Sequence, residues 1–95
     1  MFSESQQYIV LDTETGGLDP TEHSILEISG ILWKPGKTIS PVFDCYIKED
    51  NIVTVPRAME INQIDLKDVR EAGKSPKQAI KYIKNRLDDV LGTRS

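Results

Sequence analysis

Tyr8-Ile9-Val10-Leu11-Asp12-Thr13-Glu14-Thr15-Gly16-Gly17-Leu18 is the stretch on which the fold turns. Its first four residues are apolar, β-branched or aromatic, and show no alternation, which predicts a strand buried on both faces at the centre of a sheet. The run ends in two carboxylates, Asp12 and Glu14, followed at once by a paired glycine. If the strand continues through Glu14, its period of two points both carboxylates to one side, with Cα atoms about 6.6 Å apart. Two anions facing one desolvated spot are costly unless a proton or a cation neutralises them. Hard divalent ions such as Mg²⁺ or Mn²⁺ suit oxygen ligands of this kind. Gly16-Gly17 then lets the backbone turn tightly and come close to a ligand.

Downstream, Leu18 to His23 reads as a polar turn broken by Asp19-Pro20. Ile25 to Trp33 reads as a second strand and Thr38 to Ile47 as a third, joined through Lys34-Pro35-Gly36-Lys37 as a hairpin. Pro41 cannot donate to a ladder, so the third strand belongs at a sheet edge, with the second strand in the middle and the first beyond it. Val55-Pro56-Arg57 opens a short helix ending near Asn62, and Asp65 to Lys74 is a mostly polar connection with room for one more helical turn. Ser75-Pro76-Lys77-Gln78 carries a capping box with proline at the first helical position. The helix it starts presents Ile80, Ile83, Leu87, Val90 and Leu91 as one apolar stripe and stops at Gly92. Residues 1–7 read as a loosely ordered lead-in.

Ninety-five residues allow one modest core, burying about 60–65% of the surface the unfolded chain exposes. With 38% hydrophobic and 28% charged residues the composition is that of an ordinary globular chain. No membrane-spanning stretch, secretory signal or transit peptide is visible, and Cys45, the single cysteine, fits a reducing cytosol. A cytoplasmic location is therefore expected. The net charge of −3 argues against a generic nucleic-acid binder, which needs a basic patch to release counterions. It does not argue against a nuclease whose metal ions meet the phosphate.

Asp12 to Pro20 resembles the first motif of the DEDD, or DnaQ-like, 3′-to-5′ exonucleases, a family that includes polymerase proofreading subunits such as the epsilon subunit of DNA polymerase III, RNase T and oligoribonuclease. Ile25-Leu26-Glu27-Ile28 fits the same family's second strand, and Arg57 to Ile64 extends the likeness more weakly. The resemblance implies an α/β, ribonuclease H-like fold, of which this chain would be the N-terminal portion: a three-stranded antiparallel sheet followed by helices, residues 8–95. It implies Asp12 and Glu14 as catalytic ligands of a two-metal centre, Mg²⁺ or Mn²⁺, that activates water and steadies the leaving oxygen. It also implies contacts to the terminal nucleotide: the backbone at Thr15 and Gly17 against the sugar, and Leu18 as a wedge against the base. Read without the family, these three are turn residues. Asn62 reads either as a nucleotide contact or as a helix-end cap.

Other residues take plainer readings. Arg57 is expected to be solvated at a helix start, and Glu27 to be a hydrogen-bonded structural carboxyl rather than a metal ligand. His23 is a loop residue and not the family's general base, whose aspartate partner follows at a fixed spacing where this chain has Ile28. Cys45 and Trp33 pack in the core or at the edge, and Asp88 and Asp89 are exposed near a helix C-terminus, the unfavourable end for carboxylates.

The family's second-motif aspartate and late histidine and aspartate have no counterpart here, so the chain reads as part of a larger exonuclease domain with little hydrolysis of its own. The expected partner is a nucleic acid 3′ end, single-stranded DNA ahead of RNA, alongside a polymerase subunit, with no membrane. The other classes are a non-catalytic nucleic-acid-binding or scaffold module that retains the fold, and an unrelated small α/β protein. An open apolar edge on the first strand would seek a partner strand, so self-association is expected. Sedimentation at high concentration should show it, and a clean monomer would count against it.

Overall fold

A computed structural model describes residues 6–19 and 21–92. Its elements run β1 (Tyr8–Thr15), β2 (Ile25–Lys34), β3 (Thr38–Tyr46), α1 (Pro56–Asn62), α2 (Leu66–Ala72) and α3 (Pro76–Leu91). The sheet is antiparallel in the order β1-β2-β3. A three-stranded antiparallel sheet followed by helices is the expected N-terminal portion of the ribonuclease H-like fold.

The hairpin between β2 and β3 closes through Lys37 N–H donating to the Lys34 carbonyl at 2.9 Å. Gly36 takes φ 74°, the left-handed position that such a turn requires after proline. Farther along, Gly30 pairs with Phe43 while Ile31 pairs with Pro41, so Val42 is the extra residue of a bulge. That extra residue breaks the alternation of β3, and Val42 and Phe43 are both buried. Arg86 Nε donates to the Val42 carbonyl at 2.9 Å and ties α3 to the bulge.

α3 begins as its sequence dictates. The Ser75 side chain accepts from Gln78 N–H and the Gln78 side chain accepts from Ser75 N–H, with Pro76 in the first turn. A cap of this kind contributes about 1 kcal/mol. One face of the sheet packs on this helix: Leu32, Val42 and Phe43 meet Ile83, Leu87 and Val90, and Cys45 and Ile47 meet Ala79 and Tyr82. The buried stripe is therefore rotated from the expected one, because Ala79 and Tyr82 face the sheet while Ile80 is 70% exposed.

Three further expectations need correction. β1 is not buried on both faces: it takes the outer place in the sheet that Pro41 implied, and Leu11 is 59% exposed, with no further strand beside β1 among the described residues. The segment after Asp65 forms the two-turn helix α2, capped by the Asp65 side chain accepting from Lys67 N–H and anchored by fully buried Val69. Asp88 and Asp89 are not simply exposed: Asp88 pairs with Lys84 at 2.8 Å and is largely covered, and Asp89 lies 3.7 Å from Arg86. Of the lead-in, residues 1–5 lie outside the described residues, and Gln6 and Gln7 are exposed.

The other face of the sheet lies away from α3. Its rows follow from the register, Asp12 opposite Ser29 opposite Asp44, and Glu14 opposite Glu27 opposite Tyr46. The radius of gyration, 15.3 Å, exceeds the ~13 Å typical of a 100-residue domain. No helix among the described residues is long and apolar enough to cross a membrane.

Candidate functional site

The exit of β1 is joined to two other segments. Gly16 N–H donates to the Ser24 carbonyl at 2.8 Å, and the Gly16 carbonyl accepts from Val55 N–H at 2.6 Å. Ser24 N–H donates to the Val53 carbonyl at 3.0 Å, and Val53 N–H returns a 2.8 Å bond to Ser24 Oγ. Neither Gly16 nor Gly17 takes a positive φ. Their small size serves close approach instead, since a side chain at Gly16 would strike the Val53-Thr54 backbone and one at Gly17 would strike the His23 ring. The expected tight approach is thus made to the chain itself.

Asn62 completes the join. Its Nδ2 donates to the Thr15 carbonyl at 2.9 Å and reaches Met59 Sδ at 3.7 Å, while Oδ1 accepts from Ile64 N–H at 2.8 Å. Of its two sequence readings, these bonds are those of a helix-end cap that also fastens α1 to β1. Gln63, just beyond, takes the left-handed conformation at φ 57° and donates its N–H to the Met59 carbonyl.

Between α1 and the exit of β1 lies a cavity of about 450 Å³. Glu14, Thr15, Gly17, Leu18 and Asn62 all line it, so five of the six candidate residues come together. Asp12 does not line it; it is exposed on the open face opposite Ser29. Arg57 contributes to the wall, and Leu18 and Ile61, respectively 100% and 72% exposed, give it apolar flanks. Sequence reasoning missed Ala58 and Ile61. Their signal was the spacing of Arg57-Ala58 and Ile61-Asn62, three and four residues apart on one helical face.

His23 is a loop residue, as expected. Its Nδ1 accepts from Asp19 N–H at 3.0 Å, and its own N–H donates to the Asp19 carbonyl at 2.8 Å. Thr21 donates through both Oγ1 and N–H to the Asp19 carboxylate and holds it below its ordinary pKa.

Glu27 and Asp44 lie one step apart on the same face, a carboxyl pair that places Asp44 beside the site. Burial first, then hydrogen bonding to Asp44 and the charges of Asp44, Glu14 and Asp12, push Glu27 from 4.5 to about 7. Asp12 and Glu14 are hard oxygen donors on one face, a set suited to Mg²⁺ or Mn²⁺. Among the described residues no group of three or more side chains is placed to hold a metal ion.

In the folded state Glu27 keeps its proton up to about pH 7, whereas the unfolded carboxyl releases it near 4.5. The folded state therefore binds more protons between those values, and this contribution to stability is full below 4.5 and is lost as pH rises to 7. Thermal melts across that window should show a decline that Glu27→Gln flattens. An equal decline in both proteins would assign it to other groups.

A family model described as exonuclease, of the RNase T type, matches residues 9–93. The chain is also similar to the 3'-5' DNA exonuclease Cap18 of Escherichia coli, 27% identical over 92 residues that make up 96% of this chain and 47% of that protein. It thus spans about half the length of the curated relative it matches.

Proposed function

Because the chain belongs to the exonuclease family, we propose that it serves the hydrolysis of phosphodiester bonds at the 3′ end of nucleic acid, with single-stranded DNA as the leading substrate. The observation that carries this reading is the convergence of Glu14, Thr15, Gly17, Leu18 and Asn62 on one cavity. The relative's description as a DNA exonuclease favours DNA over RNA.

Each part of the site has work in this reading. Leu18 and Ile61 give a nucleobase apolar surfaces to lie against, and the backbone at Thr15 and Gly17 borders the sugar. Arg57 brings a cation to the wall, where a phosphate needs one in a chain of net charge −3. Asn62 touches the substrate only through what it positions, since its own polar atoms hold α1 against Thr15. Asp12 and Glu14 would hold the divalent ions, which when bound supply the activation of water and the stabilisation of the leaving oxygen.

Two carboxylates are a weak hold on such ions, so the 95 residues alone are expected to bind 3′ ends but to hydrolyse them negligibly. That shortfall also favours the second reading, a non-catalytic nucleic-acid-binding module.

The test is binding and cleavage of 3′-labelled single-stranded DNA with Mn²⁺, by this chain and by Asp12→Ala/Glu14→Ala. The proposal expects cation-dependent binding, weakened about tenfold (~1.4 kcal/mol) in the double variant, without appreciable cleavage. Binding indifferent to both the cation and the substitutions would contradict the metal role. Cleavage abolished by the substitutions would contradict the expected inactivity.

A further inference from the structure

The face of the sheet away from α3 is divided along its strands. The rows Asp12-Ser29-Asp44 and Glu14-Glu27-Tyr46 lie toward the exit of β1. The two rows nearer the β2–β3 hairpin, Val10-Ile31-Pro41 and Tyr8-Trp33-Ile39, are apolar. The Tyr8 and Trp33 rings meet with centroids 5.6 Å apart. Val10 is 45% and Ile39 69% exposed, Pro41 is exposed as well, and none of the six lies in the clusters beneath α3. The hairpin then ends in Lys34 and Lys37, which border a cavity of about 390 Å³ together with Trp33 and Ile39. From the hairpin tip toward the exit of β1 the order is therefore lysine, apolar, apolar, carboxylate.

That order is its own complement. A contiguous apolar surface rimmed by polar groups marks an interaction face, and a two-fold axis lets one patch serve both partners. Successive rows on one face are about 6.8 Å apart, and packed sheets stand about 10 Å from each other. An axis lying across the strands, midway between the two apolar rows, stacks two copies with each strand over its own counterpart. The row of Trp33 then meets the row of Ile31 in the second copy, and the hairpin tip meets the row of Asp12 and Asp44. With β3 over β3, Lys37, which leads into that strand, comes over Asp44, which lies on it. Any other occupant would need the same sequence of acidic, apolar and basic surface, which this chain already presents.

We propose that this face joins two copies of the chain, sheet against sheet, through the two apolar rows and through a Lys37–Asp44 ion pair formed twice. Self-association is thereby assigned to a face of the sheet rather than to the outer edge of β1. The four rows across three strands give a footprint of about 27 Å by 14 Å, short of the ~800 Å² per partner that a standard interface buries. The dimer is accordingly weak and concentration-dependent.

The experiment is sedimentation equilibrium of this chain up to about 1 mM, where even a millimolar Kd gives visible dimer. A monomer–dimer equilibrium is expected. Lys37→Glu and Asp44→Lys should each weaken it about tenfold, because two surface ion pairs become two like-charge contacts. Both residues are exposed, so the thermal melts of the variants should match that of the unaltered chain. An equimolar mixture of the two variants should dimerise as the unaltered chain does, since both contacts again join opposite charges. Ile39→Asp should abolish the dimer, and mixing it with either charge variant should not restore it. A chain that stays monomeric throughout overturns the proposal. So does association of equal strength in both charge variants, which would return it to the edge of β1, across the sheet from Asp44. Loss in both variants with no recovery on mixing, at unchanged melts, overturns it as well.

Discussion

Gly16 is bonded through both of its backbone polar groups to separate parts of the chain, Ser24 before β2 and Val55 before α1. These bonds, at 2.8 and 2.6 Å, make the end of β1 the point at which three segments are assembled. Partly covered backbone groups left unpaired would each cost free energy, so satisfying them forces the loop and the helix onto the strand. The cavity follows from that assembly. Leu18 comes from the loop, Ala58 and Ile61 from α1, Glu14 and Thr15 from β1, and Asn62 locks the arrangement through the Thr15 carbonyl.

Charge is divided across the sheet as sharply as apolar surface is. Antiparallel register brings Asp12, Glu14, Glu27 and Asp44 to the face away from α3, while Leu32, Phe43 and Cys45 lie beneath α3. Like charges set opposite one another in a ladder are destabilising, and the chain answers by keeping a proton on Glu27, beside Asp44. Asp12 and Glu14 stand at the margin of this acidic face, and Glu14 alone of the pair also borders the cavity. The division accounts for how an acidic chain presents a partly apolar cavity beside a row of carboxylates.

What was legible in the sequence was local chemistry. The capping box at Ser75, the Pro35-Gly36 turn, the helix opened by Pro56 and the strand order implied by Pro41 all depend on residues within a few positions of one another. The resemblance carried by Asp12 to Pro20 extended that reading to the fold and to the family. What was not legible depends on partners distant in sequence. The exposure of Leu11 reflects the lack of a further strand beside β1 among the described residues, and the face of α3 is set by its packing on β2 and β3, distant in sequence. Asp44 became relevant only once register set it beside Glu27, and His23 only once its ring was found over Gly17. α2 was legible only as room for a single turn, because its one buried anchor, Val69, shows no periodicity in a polar segment.

The account rests on a single claim, that the exit of β1 and the face of α1 together form a receptor for a nucleic acid 3′ end. Mapping amide chemical shifts during titration with a short single-stranded DNA, in the presence of Mg²⁺, tests it most directly. The account predicts that shifts concentrate at Glu14 to Leu18 and Arg57 to Asn62 and leave the hairpin at Lys34 to Thr38 unchanged. Shifts centred on the hairpin, or spread evenly over the surface, would contradict it.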